Sequence, residues 1–539
     1  MIHSRCRLLT IGLLLYASAF TRLAYTGDVA AGQVGIIDKE YATPIGQSDV
    51  ANGTTFVITR RGHYILSRDI TFNGAQFSGQ GVTADTQGNR IPVALPGATP
   101  TVILIRSSDV TLDLNNLSII TDDGGNNTTG IRIDPLDNDN FPISNVTIKN
   151  GKIHLGQGRG VIASSTDVMG FVAVDGSGNP VRLRSLVLSG LTIHDWLIGG
   201  IFLENVDDAI INLCSTSQNR GGTFGAAVGL DVKTATNVVV DRCSFSTSED
   251  PIQPIIGVRA TTSKHCTFKN SEARGNNGVR GVGFLLTGTC VACSFEECTA
   301  VNNNGKIFSG AGFAIEYSLN TRICNCQALS NTAGTSDAYG FFLDHAQYTH
   351  VECCTASHQN ATSVATGAYG FYSTNGICNY FINCLAQGNV GQGPTGIGAG
   401  FAFENNEHGS TIECCKSISN DGQLGAGYGI KLGGTDNSVC KTVVQGNWLW
   451  TNMGAQRYGY KDFTPNSSTL LCKNTAFGHG KSIDNTGIVS DTGTMNYMLS
   501  YAGGMRNPAN IIFETDTAEL KTIDTAAPFD NISIVGPEC

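Results

Sequence analysis

Short runs of alternating apolar and polar residues recur along the chain, and a glycine opens most of those between residues 200 and 460. In the run Phe401-Ala402-Phe403-Glu404, the first and third side chains face one way and the second and fourth face the other, as in a β-strand. The opening glycines are Gly200, Gly229, Gly257, Gly283, Gly312, Gly340, Gly370, Gly400, Gly429 and Gly459. Successive glycines lie 26 to 30 residues apart, and a period in this range indicates stacked copies of one supersecondary unit.

Each repeat continues with a second short apolar run and then a polar turn that contains asparagine. The turn residues are Asn303, Asn331, Asn360, Asn389 and Asn420. Because no helical periodicity separates the runs, each repeat is expected to hold two or three short strands joined by turns. Strands that return at a constant period stack in parallel as the coils of a solenoid. We therefore predict an all-β fold, a single-stranded, right-handed parallel β-helix with capping segments at both ends.

The N-terminus has the pattern of a secretory signal peptide. Arg5 and Arg7 precede an apolar run over residues 8–19, in which Ala17 and Ala19 are placed like a cleavage signal. An uncleaved N-terminal anchor is the alternative. No other run is long and apolar enough to span a membrane. We expect export to the periplasm, the cell surface or the extracellular space, with no integral membrane span once the signal is removed.

The limits of the repeat predict four segments. They are a signal peptide (1–24), an N-terminal cap with the first coils (25–100), the right-handed parallel β-helix (101–487) and a C-terminal cap or tail (488–539). Two stretches interrupt the repeat, at residues 74–100 and 154–185. The second contains two apolar runs around an Asp-Gly-Ser-Gly-Asn-Pro turn, which predicts a hairpin that leaves the solenoid. Such excursions suit binding, although long surface loops are also tolerated at little cost.

Composition adds to the prediction of turn-rich β structure and restricts the partners. The chain has 66 glycines and only 14% charged residues, with a formal net charge of -10 at neutral pH. Binding to phosphate backbones depends on clustered Lys and Arg. We therefore expect no nucleic-acid partner.

A cysteine recurs fourteen residues after several of the glycines. These cysteines are Cys214, Cys243, Cys326, Cys354, Cys384 and Cys414. Equivalent residues on neighbouring coils lie about 4.8 Å apart, so we expect a buried column of thiols that act as small apolar side chains. Disulfides between coils and a metal site are the alternatives. Removal of Cys6 with a signal peptide would leave an odd number of cysteines, which cannot all pair within one chain.

The second and fourth positions after each glycine are expected to face outward and to carry any site. The second-position column is Phe202, Asp231, Arg259, Leu285, Ala314, Phe342, Tyr372, Ala402 and Lys431. The fourth-position column contains the candidate catalytic acids Glu316, Asp344 and Glu404, since neighbouring carboxylates shift each other's pKa and suit acid–base chemistry. Phe202, Phe342 and Tyr372 are candidate platforms for sugar rings. A solvated acidic face is the alternative.

Three upstream segments carry a family resemblance. The run Gly62-His63-Tyr64-Ile65-Leu66, the run VTLDLNN over residues 110–116 and the run VTIKNGKI over residues 146–153 resemble the opening of exported bacterial β-helix proteins of the pectin-lyase-like superfamily. The resemblance covers roughly residues 60–480. It implies the right-handed β-helix fold but leaves function open, because lyases, hydrolases, adhesins and phage tailspikes share that fold.

Shorter motifs of the superfamily are incomplete in this sequence. Gly478-His479-Gly480 and Asp207-Asp208 resemble polygalacturonase motifs, but 271 residues separate Asp208 from His479, and the family places them about one coil apart. Asp134, Asp137 and Asp139 form an oxygen-rich loop that could hold Ca²⁺. A hydrated turn is the alternative, and no other cofactor is expected.

We therefore expect an exported surface or extracellular scaffold that binds polysaccharides, glycoconjugates or host-surface molecules without catalysis. The alternative is a polysaccharide lyase or glycoside hydrolase with a divergent acidic site at Glu316, Asp344 and Glu404. A purely architectural role fits the same observations.

Overall fold

The computed structural model describes most of the chain. The described residues are 42–121, 127–220, 225–246, 250–363, 366–433, 442–450, 456–462, 470–477, 481–484, 492–499, 512–514 and 520–522. The chain divides into two compact units, Met1–Thr43 and Pro44–Cys539. Only Ala42 and Thr43 of the first unit are described, so the predicted signal peptide lies outside the described residues.

The second unit is a parallel β-solenoid of about 13 coils, as the repeat predicts. The strands that begin near the recurrent glycine form one parallel sheet, named sheet 1. Its strands are Thr55–Ile58, Thr101–Ile105, Thr129–Ile133, Arg159–Ala163, Gly199–Glu204, Ala227–Lys233, Ile255–Thr261, Gly281–Thr287, Gly310–Glu316, Ala338–Asp344, Gly367–Thr374, Ile397–Glu404, Ala426–Leu432, Gln456–Asp462 and Lys481–Asp484. Gln80–Ala84 and Arg90–Ala94 extend it as an antiparallel pair at the N-terminal end.

The rest of each coil forms a second and a third strip of parallel strands, which the long strands Ser144–Gly156 and Leu183–Trp196 join. The second strip comprises Thr43–Ile45, Gly62–Leu66, Val110–Asp113, Val206–Asn212, Thr236–Asp241, Thr267–Lys269, Ser294–Glu296, Arg322–Cys324, His350–Glu352, Tyr380–Ile382, Thr411–Glu413, Val443–Gln445 and Leu470–Phe477. The third comprises Ile70–Phe72, Ser118–Thr121, Ser215–Ser217, Ser244–Ser246, Glu272–Arg274, Thr299–Val301, Gln327–Leu329, Thr355–Ser357, Leu385–Gln387, Lys416–Ile418 and Trp448–Trp450.

Several shorter elements complete the described structure. A small parallel sheet contains Asn277–Gly278, Asn304–Gly305, Thr332–Ala333, Asn360–Ala361 and Val390–Gly391. Single 3-10 turns are formed by Gln47–Asp49, Ala51–Gly53 and Gly74–Gln76. Thr492–Leu499, Ile512–Glu514 and Leu520–Thr522 pair antiparallel near the C-terminus. Among the described residues, no helix is long and apolar enough to cross a membrane.

The aromatic residues that directly follow the recurrent glycines form part of the core. Phe313, Phe341, Phe371 and Phe401 are in register on four consecutive strands, and each ring stacks on the next with centroids 4.8 Å apart. All four side chains are fully buried. The preceding residue must be glycine, because a Cβ on Gly312 would lie 2.7 Å from the Cβ of Ala328. The repeated glycine therefore allows sheet 1 to pack directly against the third strip.

The asparagine turn forms a buried ladder of side-chain amides. Its members on successive coils are Asn276, Asn303, Asn331, Gln359, Asn389 and Asn420. The amide of Asn303 donates to Asn331 at 2.8 Å, and the amide of Asn389 donates to Asn420 at 2.7 Å. Gln359 occupies the ladder position in its coil, and Asn360 instead begins the next short strand.

The predicted thiol column is present, and Cys214 and Cys243 are buried as expected, but the prediction missed Cys298 and misplaced Cys414. Five consecutive coils contribute buried thiols, from Cys298, Cys326, Cys354, Cys384 and Cys415. The prediction that Cys414 belongs to this column is wrong, since Cys414 is exposed and Cys415 accepts a hydrogen bond from the Cys384 amide. The turn after Glu404 contains two left-handed residues, Asn405 and Asn406, and so is one residue longer than in the preceding coil.

The described cysteines between Cys214 and Cys415 are all free. Burial raises the pKa of the Cys354 and Cys384 thiols well above the ordinary value. These thiols donate to main-chain oxygens, as Cys354 does to Glu352 O at 3.2 Å. The column therefore acts as a stack of small buried side chains with satisfied polar atoms.

Both predicted excursions from the solenoid are present. Residues 74–100 contain the antiparallel pair described above. The second excursion begins later than predicted, because Arg159–Ala163 is an ordinary strand of sheet 1. It contains antiparallel bridges between Thr166 and Val172 and between Val174 and Pro180, as expected of a hairpin.

Candidate functional site

The outer face of sheet 1 carries the predicted site residues. Their side chains are less exposed than the alternation of inward and outward residues predicts. Phe202 and Phe342 are half-buried, and Tyr372 is only 8% exposed. Ala314 and Ala402 are fully buried although their side chains also point away from the core. The prediction that the whole second-position column is exposed is therefore wrong, because large side chains on this face lie over their neighbours.

A group of charged residues surrounds Phe202 on this face. Asp231 lies between two arginines, with a two-point contact to Arg259 at 2.9 and 2.7 Å and a longer ion pair to Arg159 at 3.7 Å. The guanidinium carbon of Arg159 lies 3.7 Å from the ring centre of Phe202. Burial lowers the pKa of Arg159 to about 10. Because Arg159 covers Phe202, this ring does not offer a bare platform to a sugar.

Aromatic side chains dominate the next part, toward the C-terminus. Tyr339, Tyr369, Tyr372 and Phe342 form a cluster in which ring centroids lie 4.7 to 5.8 Å apart. Burial raises the pKa of the Tyr339 and Tyr369 phenols well above the ordinary value. Within the cluster, the rings are engaged with one another, and only Phe342 is half-buried rather than buried.

The three predicted acids lie in one column but have different partners. Glu316 and Asp344 are neighbours in register, whereas Glu404 lies two coils beyond Asp344, with Thr374 between. Glu316 pairs with Arg280. Glu404 accepts the hydroxyl of Tyr372 at 3.0 Å and pairs with Lys431. The structure therefore brings Glu316 and Asp344 together and assigns Glu404 to a separate cluster.

Asp344 orients a histidine that sequence reasoning missed. Its Oδ1 lies 2.7 Å from Nδ1 of His345 and accepts from Asn375 at 3.2 Å. The His345 ring stacks on Tyr317 of the preceding coil, with centroids 4.5 Å apart. The His345 side chain is 44% exposed and Tyr317 is 52% exposed. An oriented imidazole and an exposed phenol therefore lie beside the Glu316–Asp344 pair.

One further exposed aromatic residue follows His345 before the next strand begins. Tyr348, three residues after His345, is 46% exposed. We name Tyr317, His345 and Tyr348 the aromatic edge. Alternation could not find them, because they lie in turns, each with a positive φ of 52 to 54°. Their positions in the sequence could have identified them, because Tyr317 and His345 directly follow the last residue of a sheet 1 strand.

Two of the three predicted calcium residues, Asp134 and Asp137, have protein partners for their carboxylates. Asp134 is buried between Arg106, at 2.7 Å, and Arg132, at 3.4 Å. Asp137 Oδ1 accepts the backbone amides of Asp139 and Phe141, each at 2.9 Å. Over the described part of the chain, no group of three His, Cys, Asp or Glu side chains is arranged to hold a metal ion.

Of the two polygalacturonase-like motifs, only Asp207-Asp208 lies within the described residues. Asp207 forms an ion pair with Arg182 at 2.6 Å, and Asp208 accepts from the Asn237 amide at 3.0 Å. Gly478, His479 and Gly480 lie outside the described residues.

Comparisons with known proteins agree with the fold. The family model for a right handed beta helix region matches residues 170–337. The sequence matches none of the curated proteins with which it was compared. Several solved structures are also similar to this chain, at low sequence identity.

Three solved structures illustrate this likeness. The periplasmic alginate epimerase AlgG is 8% identical over 62% of this chain and 76% of its own, with a TM-score of 0.39. The A-module of the Azotobacter vinelandii mannuronan C-5 epimerase AlgE4 is 12% identical over 83% and 94%, with a TM-score of 0.34. PfbA, a surface adhesin of Streptococcus pneumoniae, is 10% identical over 85% and 93%, with a TM-score of 0.31.

Proposed function

We propose that this right-handed parallel β-helix protein, which has the pectin-lyase-like fold, is an exported scaffold that binds polysaccharides or glycoconjugates without cleaving them. The ligand lies along the aromatic edge of Tyr317, His345 and Tyr348. Glycans on the surface of a host cell are included among these ligands, because they belong to the same chemical class as polysaccharides and glycoconjugates. Export, to the periplasm, the cell surface or the medium, follows from the pattern of residues 1–24.

The exposed stack of Tyr317 and His345 beside Asp344 carries this proposal. An aromatic ring packs against the apolar C–H face of a sugar, and carboxylate or amide groups next to it accept and donate the hydrogen bonds of the hydroxyls. The stack supplies the ring, while Asp344 and Asn375 supply the polar groups. Repetition of turns along the solenoid gives an extended surface, which suits a polymer.

A panel of acidic and neutral polysaccharides tests this proposal. The purified full chain is incubated with each glycan, with and without Ca²⁺, and both retention and new chain ends are measured. The proposal predicts retention of one class of glycan with no increase in reducing ends or unsaturated products. Absence of retention across the panel would refute it.

Cleavage is the second candidate, and the Asp344–His345 contact favours it. A carboxylate that holds Nδ1 of a histidine orients the ring and leaves Nε2 for proton transfer. Glu316, next to Asp344 in register, adds a second carboxylate. This function, a polysaccharide lyase or glycoside hydrolase, predicts products in the same panel that are lost in Glu316→Ala or Asp344→Ala.

A further inference from the structure

Lys431, which is buried, and Glu404, which is largely covered, form an ion pair on neighbouring strands of sheet 1. Lys431 Nζ contacts Glu404 Oε1, and the other carboxylate oxygen accepts the Tyr372 hydroxyl at 3.0 Å. The side chains are 8% and 14% exposed, respectively. Lys431 is the least exposed lysine or arginine among the ion pairs of this face.

Glu204 and Lys233 provide the internal comparison. They are also on neighbouring strands of sheet 1, with Lys233 Nζ 2.7 Å from Glu204 Oε1. The Lys233 side chain is 51% exposed. Water therefore solvates its ammonium, and an exposed pair of this kind is an ordinary surface ion pair.

A third ionisable group faces the Lys431–Glu404 pair. Asp337 lies close enough to interact electrostatically with both Glu404 and Lys431, and its Oδ2 accepts the Tyr339 hydroxyl at 3.1 Å. Burial raises the pKa of the Asp337 carboxyl. Because removal of two opposite charges from water is costly, a reaction that removes both charges is favoured here.

We propose that Lys431 Nζ and the Glu404 side-chain carbonyl carbon join in an intramolecular amide, which covalently links two neighbouring coils. This inference is independent of the proposed glycan binding. It assigns a function to an aromatic cluster that lies apart from the aromatic edge.

The reaction is a condensation that balances without a cofactor. Proton transfer from the Lys431 ammonium to the Glu404 carboxylate gives a neutral amine and a neutral acid. The amine nitrogen attacks the Glu404 carbonyl carbon, the C–N bond forms, and one C–O bond breaks to release water. The Tyr372 hydroxyl polarises the carbonyl, while the Asp337 carboxyl passes a proton from the nitrogen to the departing oxygen. One ammonium and one carboxylate become one amide and one water.

Peptide mapping of the purified full chain tests the cross-link. After denaturation and chymotrypsin digestion, the peptide with Glu404 and the peptide with Lys431 should elute as one branched species whose mass is their sum less one water. Trypsin should fail to cleave after Lys431. Recovery of the two chymotryptic peptides as separate species at full yield would overturn the proposal.

Two variants and one internal control complete the design. Lys431→Arg keeps the positive charge but cannot form this amide, so the branched species should disappear. Asp337→Asn should slow its appearance in freshly synthesised protein. The peptides with Glu204 and Lys233 should remain separate in every sample. Because the wild-type map is decisive by itself, the result does not depend on how well a variant folds.

Discussion

The imidazole of His345 lies face to face with the phenol ring of Tyr317, with centroids 4.5 Å apart and planes 17° from parallel. The two residues are one coil apart, and both have a left-handed backbone, with φ of 52° and 54°. Their side chains therefore leave the solenoid side by side. Asn205 and Asn375 also follow the last sheet 1 residue of their coils with positive φ, so the turn itself does not require an aromatic residue.

Replacement of Tyr317 by Asn separates stability from binding. A left-handed backbone costs about 1–2 kcal/mol for most residues, whereas Asn adopts it more readily. We expect Tyr317→Asn to keep or raise the midpoint of urea unfolding. Tyr348→Asn, at another left-handed turn position, should behave alike. A clear fall in the midpoint for both would show that the rings mainly stabilise the fold.

The phenylalanine stack is predicted to be the most sensitive part of the core. Phe341 is fully buried between Phe313 and Phe371, so Phe341→Ala should lower the free energy of unfolding by about 3–5 kcal/mol. Phe342→Ala, its half-buried neighbour on the outer face, is the matched control and should cost less. Urea unfolding followed by circular dichroism measures both, and equal losses would contradict this account of the core.

Thiol reactivity should divide the described cysteines by burial. Cys353 and Cys414 are exposed, whereas Cys384 and Cys415 are buried. A thiolate is the reactive form, and burial raises the pKa of Cys384 well above its ordinary value. Brief treatment of the native protein with iodoacetamide, followed by peptide mapping, should label Cys353 and Cys414 alone among these four. Native labelling of Cys384 would be inconsistent with the column described above.

His154 should make stability depend on pH. Burial is the main cause that lowers the pKa of His154 below the ordinary value of 6.5, and the nearby His194 lowers it further. The two imidazole rings stack with centroids 4.7 Å apart. The unfolded chain then binds a proton first, so the contribution is intact above the unfolded pKa and is lost as pH falls toward the folded pKa. Urea midpoints at about pH 7.5 and about pH 5 should differ less in His154→Gln than in the wild type. An unchanged difference would rule out this role.

Local sequence pattern was sufficient to predict the coils. Each strand of sheet 1 needs a glycine where it packs closely against the rest of the coil, and it needs alternating apolar and polar residues after that glycine. Both features therefore recur in the sequence with every coil. The in-register column from Phe313 to Phe401 confirms this prediction. The fold could therefore be predicted from spacing and side-chain size.

The candidate site was harder to predict than the fold. Turn lengths, and the burial of outward side chains by their neighbours, do not repeat with a fixed period. The extra turn residue after Glu404 moved the buried thiol from Cys414 to Cys415. Tyr372 was expected to be exposed but is covered by neighbouring rings. His345 was missed, since its contacts with Asp344 and Tyr317 depend on backbone direction rather than alternation.

The most direct test of glycan binding at the aromatic edge is the dissociation constant of the glycan that the panel retains best. Calorimetric titration would compare the wild type, Tyr317→Asn, His345→Asn and the double variant, with Phe141→Ala as a control on another exposed aromatic residue. Loss of each ring contact, worth about 1 kcal/mol, should raise Kd about fivefold, while Phe141→Ala should leave it unchanged. Wild-type affinity in the double variant would contradict the proposed site.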